Sequence, residues 1–488
     1  MSEDLKEKLF AKRENGWEKL EESKKNEIFE LSKKYMEFLN KGKTEREFIK
    51  EAKKLADENG FTDIMNKKEL KTGDKIYFIN REKSMYLAII GENNIEENGM
   101  HIIGSHVDSP RLDLKPNPVE ENGGMAYFKT HYYGGIKKYQ WTTIPLSLHG
   151  IIVKTNDEKI EVNIGEKEDE PIFTITDLLP HLAQEQMEKK LKNGIDGEDL
   201  KLLIGSIPYN DEKIQEKVKL NILNILNQKY DITEEDFMSA ELELVPEFKA
   251  RTLGFDNSMV AAYGQDDKVC AYTSLAAMME LNNVKNTAIC ILSDKEEIGS
   301  MGNTGMESHM FDFFVSEILN KLGINKPNLL DKVFCFSKML SSDVDAGFDP
   351  IYQQVSDTLN AGYLGKGISL NKYTGARGKS GASDANAEYV AWVRNVLEKN
   401  DIKYQLAELG KVDIGGGGTI AYILANKGTD VIDCGVPVLS MHSPYEVTSK
   451  YDVYSAYKAY LAFWKEWSFL GRAKKGSPKK QKNKNKIK

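Results

Sequence analysis

Long apolar runs are missing from this sequence. No segment approaches the ~20 uninterrupted apolar residues that a membrane helix needs. The start, Met1-Ser-Glu-Asp-Leu-Lys-Glu-Lys, lacks the apolar core of a secretory signal. Cysteine is scarce as well. Cys270, Cys290, Cys335 and Cys434 are the only four in 488 residues, in or beside apolar stretches and without metal-knuckle spacing. They read as reduced core residues of a cytoplasmic protein. No internal repeat is evident. Residues 471–488 contain no acid at all, only Arg472 and eight lysines among Gly, Ser, Pro, Gln and Asn. That stretch has too little apolar content to fold and is expected to be a basic disordered tail. Its nine positive charges leave the remaining body at −17 within a total of −8. A body this acidic argues against nucleic acid as the main partner.

What is present describes an ordinary globular chain, 40% hydrophobic and 29% charged. Its length exceeds one compact core, so two domains are expected. Residues 14–57 carry apolar positions at helical spacing (Trp17, Leu20, Ile28, Leu31, Tyr35, Phe38), with a second helical piece from Glu45. Short strands follow at 76–79, 84–90 and 100–104. From about 114 to 245 the pattern turns β-rich, with strands expected at 125–133, 141–149, 151–155, 159–164 and 240–245 and helices near 177–192 and 216–228. This block reads as an inserted domain between 1–113 and 246–470. Beyond it strand and helix alternate, the signature of an α/β sheet. Helices are expected at 268–281, 311–322, 382–398, 418–426 and 451–469, and strands at 287–292, 332–336 and 430–434.

Polar residues collect where these elements end. Glu296 and Glu297 follow the apolar run Thr287–Leu292, and strand ends in α/β sheets open into crevices. His106 and Asp108 follow Met100–Gly104. Asp266 and Asp267 head a helix, Asp343 follows Ser341-Ser342, and His442 precedes Ser443-Pro444. Alone, each is an ordinary acidic turn, helix cap or loop histidine. Together, two imidazoles and several carboxylates at element boundaries suit zinc with mixed N/O ligands, in about the number two metals need. The run Gly415–Gly418 permits close backbone approach to a substrate or, more plainly, a flexible entry to a helix.

The ordered set His-x-Asp, Asp-Asp, Glu-Glu, Asp and a late Met-His-Ser resembles the aspartyl aminopeptidase family of dinuclear zinc exopeptidases, in its bacterial branch. Tyr132-Tyr-Gly-Gly135 and Pro180-His-Leu-Ala183 look like further family landmarks, and the likeness extends to about residue 470. It implies an α/β fold, a mixed sheet flanked by helices, with an inserted β-rich oligomerisation domain. It implies a metal-dependent aminopeptidase acting on peptides, with two Zn2+ per subunit and Co2+ or Mn2+ as substitutes. His106 and Asp343 would bind one zinc, Glu297 and His442 the other, and Asp266 would bridge them. Asp108 would orient His106, and Glu296 would be the general base. Lys372, Gly416 and Gly417 would bind substrate. His181 would reach a neighbouring subunit's active site within a homo-oligomer, a dodecamer in the family. Two departures stand out: Asp267 where eukaryotic members have Asn, and Asp345 where they have a nearby histidine. Extra carboxylates there are expected to repel an acidic N-terminal residue. The competing expectations are a di-zinc deacylase or carboxypeptidase of related fold, and a non-catalytic assembly or cargo protein that docks through the tail.

Overall fold

The computed structural model describes residues 2–11, 14–375 and 378–466. The expected tail, 471–488, lies outside the described residues. A nine-stranded mixed sheet forms the centre, in the order Thr62–Asp63, Lys75–Asn80, Ser84–Ile89, Thr287–Ser293, Met100–His106, Lys338–Ser341, Asp430–Gly435, Ile368–Asn371 and Tyr404–Leu406. The four middle strands, from 287–293 to 430–435, are mutually parallel. Both 287–293 and 100–106 are buried along their whole length, as parallel strands covered on both faces must be.

Helices cover each face over its own apolar core. One side carries Glu22–Leu39, Glu45–Glu58, Gln265–Met279, Ala387–Lys399 and Lys450–Lys465, packed around Tyr35, Phe48, Leu275, Trp392 and Trp464. The other carries Met310–Lys321, Leu329–Phe336 and Ala421–Ala425, packed around Phe311, Phe314, Val333 and Leu424. A second, fully antiparallel sheet of six strands runs in the order Lys159–Ile164, Leu146–Val153, Ala240–Pro246, Arg111–Asn122, Met125–Tyr133, Lys201–Gly205. It has its own core around Trp141, Leu148, Leu202, Phe237 and Leu244. Its strand Arg111–Asn122 runs across the position between 113 and 114. A third, small sheet pairs Arg251–Leu253, Met259–Ala262, Glu446–Ser449, Pro437–Leu439 and Asp345–Ala346.

Several expected elements differ. Residues 329–336 form a helix and the strand begins only at Lys338, because Leu329, Val333 and Phe334 bury one helical face. The stretches 141–149 and 151–155 are one strand, Leu146–Val153, preceded by the short 3-10 turn Lys138–Trp141. Gly150 does not break it: the partner strand presses so close that a Cβ there would stand 2.0 Å from the Glu241 carbonyl. Around 177–192 only Gln184–Glu188 is α-helical, since Leu178, Leu179, Leu182, Met187 and Leu191 are exposed and have no core to pack on. The helix expected from residue 14 starts only at Glu22, the second piece begins at Glu45 as expected, and the one expected from 382 starts at Ala387.

Strand Met100–His106 is pinned at its start by a buried histidine. His101 Nδ1 lies 3.2 Å from the Phe463 carbonyl, and its Nε2 accepts from Asn286 Nδ2 at 3.1 Å. Acceptance at Nε2 requires the neutral ring, and burial lowers its pKa to about 3. The unfolded chain takes up a proton near pH 6.5, while the folded one resists until about 3. Stability from this group is therefore complete above ~6.5 and lost as pH falls towards 3. Between pH 6.5 and 5 the loss should be about 2 kcal/mol, at 1.36 kcal/mol per unit. Urea unfolding of wild type and His101→Gln at the two pH values should show that difference only in the wild type.

Candidate metal centre

The middle strands end in register. Ser293 pairs with His106, and Ser341 with both Gly104 and Asp433, so the carboxyl ends of four parallel strands open side by side. Residues just beyond them, Glu296, Glu297, Asp108 and Asp343, therefore meet at one rim. Asp266 arrives from the amino terminus of the buried helix Gln265–Met279, and His442 from the loop between the small-sheet strands Pro437–Leu439 and Glu446–Ser449.

Asp266 stands between the two imidazoles. Its Oδ1 lies 3.2 Å from His106 Nε2 and its Oδ2 lies 3.2 Å from His442 Nε2. Asp343 Oδ1 is 3.9 Å from His106 Nε2, and Glu297 Oε2 is 3.6 Å from His442 Nε2. Two ligand-type clusters result, His106–Asp266–Asp343 and Asp266–Glu297–His442, with the donor atoms of each within 4.8 Å of one another. Each imidazole points its other nitrogen at an oxygen. His106 Nδ1 is 3.0 Å from the Asp108 carbonyl and 3.3 Å from its Oδ1, and His442 Nδ1 donates to the Gly135 carbonyl at 2.8 Å. That arrangement frees both Nε2 atoms for a cation.

The field at this rim is strongly negative. Burial alone would lower the imidazole pKa values. The neighbouring carboxylates outweigh it, holding His106 well above its ordinary range and pushing His442 up to about 10. Burial, with Asp108 and Asp266 beside it, lifts Glu296 to about 7. Burial and the Asp266 charge also hold Glu297 well above its usual value, and its Oε1 is buried without a hydrogen-bond partner. Convergent nitrogen and oxygen donors, an excess of carboxylate and an unpartnered carboxylate oxygen fit zinc, which takes such mixed sets. Glu296 Oε2 sits 3.9 Å from His106 Nε2 at the edge of both clusters.

These groups floor a cavity of about 510 Å3, whose walls include Val344, Asn371, Thr374, Leu409, Gly416, Gly417, Tyr422 and Met441. No lysine or arginine lines it among the described residues. Lys372 is directed elsewhere, 3.9 Å from Asp384 Oδ1. His181 lies on the exposed segment before Gln184–Glu188 and is not among the lining residues. The two extra carboxylates are placed differently. Asp267 is buried behind the site, accepts the His106 backbone N–H, and is held well above its usual pKa by burial. Asp345 does line the cavity, but it accepts from Ser369 Oγ (2.7 Å) and Asn371 Nδ2 (3.0 Å), and burial lifts it to about 6. Both oxygens of Asp345 are thus engaged by donors within the chain.

The sequence gives no signal for Glu446. Its buried carboxylate accepts the Asp266 N–H at 3.0 Å and the His442 N–H at 2.7 Å, tying together the backbones of two widely separated residues. Gly135 was within reach of inference, because it closes the Tyr132-Tyr-Gly-Gly135 landmark.

A model of the aminopeptidase I zinc metalloprotease (M18) family matches residues 38–464. A probable M18 family aminopeptidase 1 of Clostridium acetobutylicum is 52% identical over 459 residues, 93% of this chain and 98% of the relative. The crystal structure of an M18 aminopeptidase from Thermotoga maritima has a TM-score of 0.90 at 45% identity, over 94% of this chain and all of that one. Aminopeptidase I from Borrelia burgdorferi gives 0.80 at 43%, over 93% of this chain and all of its own.

Replacing Glu446 with alanine removes the acceptor of two buried backbone donors. Each unmade bond costs about 1–3 kcal/mol, so chemical denaturation of metal-stripped Glu446→Ala should show a loss of at least about 2 kcal/mol.

Proposed function

This chain belongs to the aminopeptidase I zinc metalloprotease (M18) family and is a metal-dependent aminopeptidase, and from that premise we propose how its residues divide the work. His106 and Asp343 would hold one zinc and Glu297 and His442 a second, with Asp266 available to both. The observation that carries this is the Asp266 carboxylate with a different imidazole Nε2 at 3.2 Å from each oxygen. The absence of thiolates from the donor set leaves Co2+ and Mn2+ as workable substitutes. When bound, the two ions supply Lewis acidity for the attacking water and for the scissile carbonyl. Glu296 is the general base: its carboxylate takes the water's proton and returns it to the leaving amine. Burial and the neighbouring carboxylates raise the basicity of Glu296 in the metal-free chain, the direction a general base needs. Asp108 orients His106. The acidic rim offers acceptors to the substrate's free α-ammonium, and Gly416 and Gly417 let peptide backbone pass close to the wall.

The N-terminal side chain then meets Val344, Leu409, Tyr422 and Met441, with no cation among the described lining residues. An acidic side chain would lose its hydration there without a partner, which costs several kcal/mol. A neutral, apolar residue is therefore preferred. The lack of a cation among the described lining residues also disfavours a carboxypeptidase or deacylase that must bind a free carboxylate.

The six-stranded sheet and its helices, about 114–245, serve as an inserted oligomerisation domain between the two parts of the catalytic domain. The exposed Ile172, Leu178, Leu179, Leu182, Met187 and Leu191 support this, since an apolar strip of this kind is ordinarily covered by a partner. His181 lies within that strip, in keeping with a role at a neighbouring subunit, and a dodecamer is the expected assembly. Four unpaired cysteines, three of them buried, support a cytoplasmic setting. No helix among the described residues is long and apolar enough to cross a membrane.

Hydrolysis of aminoacyl anilides by zinc-reconstituted protein tests the reading. Leucyl substrates should exceed aspartyl ones at least ~10-fold in kcat/KM, and Glu296→Gln should lose about 10²–10⁴-fold in kcat while retaining its zinc. Full activity in Glu296→Gln would remove the assigned base.

A further inference from the structure

Both halves of the metal centre are touched by one corner of the six-stranded sheet. Tyr133 closes the strand Met125–Tyr133, and its hydroxyl donates to Asp108 Oδ2 at 2.8 Å. The same carboxylate accepts the backbone N–H groups of Glu296 and Glu297, at 3.2 Å each, and faces His106 Nδ1 at 3.3 Å. Two residues on, the Gly135 carbonyl takes the Nδ1–H of His442. The tyrosine is itself fixed. Arg111 lies 3.9 Å from its ring centroid, and that guanidinium is held by Asp113 at 2.8 Å, Glu243 at 3.2 Å and Glu45 at 3.4 Å. The backbone runs so close to the ligands that a Cβ at Gly134 would stand 3.2 Å from Glu297 Oε2. One at Gly135 would stand 3.2 Å from His442 Nδ1.

We propose that Tyr133 and Gly135 are positioning residues, through which the inserted sheet sets the geometry of both metal positions. Tyr133 fixes Asp108, and Asp108 fixes the His106 ring and the turn that carries Glu296 and Glu297. Gly135 fixes the His442 tautomer and admits its ring at close range. Part of the support behind each position thus comes from the inserted sheet, so the catalytic rim is complete only with the insert docked. This rests on the ligand assignment made above. Partners of this kind alter metal affinity or activity by about 10–100-fold when removed.

The test is zinc affinity by chelator competition, with kcat, KM and the urea midpoint of the metal-stripped chain, for wild type, Tyr133→Phe, Gly135→Ala and His442→Ala. Tyr133→Phe keeps the ring against Arg111 and removes only the donor. It should bind zinc ~10-fold or more weakly and lose kcat with little change in KM. Gly135 is not left-handed, so alanine there is conformationally acceptable, and its methyl should weaken one of two zinc equivalents selectively. Neither variant's metal-stripped midpoint should explain the loss. Wild-type zinc affinity and kcat in Tyr133→Phe would overturn the proposal, and if that variant does not fold, wild-type zinc binding by Gly135→Ala would do so. Unchanged zinc binding by His442→Ala would instead overturn the ligand assignment and this proposal with it.

Discussion

Seven carboxylates gather at or just behind one rim: Asp108, Asp266, Asp267, Glu296, Glu297, Asp343 and Glu446. Taking even one charge out of water costs several kcal/mol unless it is compensated, and that constraint governs how the surroundings are built. Some of these groups are satisfied by donors within the chain. Asp108 receives two backbone N–H groups and the Tyr133 hydroxyl, and despite its burial the His106 bond, Tyr133 and Arg111 hold its pKa below the usual range. Glu446 receives two backbone N–H groups. Asp266, Glu297 and Asp343 have fewer such partners and face imidazoles instead. The difference separates the groups that hold the frame from those that receive a cation. Because the cation relieves repulsion already present in the fold, binding it stabilises the chain as well as arming it.

Topology does the rest of the assembly. Parallel strands bring their carboxyl ends to one edge, and the pairing of Ser293 with His106 and of Ser341 with Gly104 aligns those ends to the residue. A slip of one residue would turn each side chain to the opposite face, so the buried register of the sheet is also the register of the site. His442 cannot be set this way, because it comes from a loop of the small sheet with φ at +64°. That uncommon backbone region for a non-glycine residue is held from two sides, by Glu446 at its N–H and by Gly135 at its ring.

The part of this legible in the sequence was the part that repeats a local pattern. Apolar runs such as Thr287–Leu292 and Met100–Gly104 announced buried strands, and the polar residues after them fell where a sheet edge must open. Helical spacing failed where burial did not follow it: Leu178, Leu179 and Leu182 look like a helix face but have no core beneath them within one chain. It also fails at 332–336, where an apolar run too short to show its period reads as a strand but is the end of the helix Leu329–Phe336. Glu446 was invisible because its role depends on two backbone amides, at Asp266 and at its near neighbour His442, and no residue spacing encodes that. Asp267 and Asp345 are visible in the sequence, but their partners are not: burial behind the site for one, and the donors Ser369 and Asn371 for the other, follow only from the fold.

The selectivity of the cavity follows from the same electrostatics. With two divalent ions in place much of the rim's negative charge is neutralised, so under the proposed reading a peptide's ammonium end is oriented by the carboxylates that hold no metal. The wall beyond can then discriminate only by what it offers, and Val344, Leu409, Tyr422 and Met441 offer area and little else. Apolar area distinguishes residues by size in steps of about 1–3 kcal/mol per methylene-scale difference. Exclusion of a charge is steeper, because a desolvated ion without a partner loses far more than a missing contact gains. Discrimination against acidic residues should therefore be sharp, and discrimination among apolar ones graded.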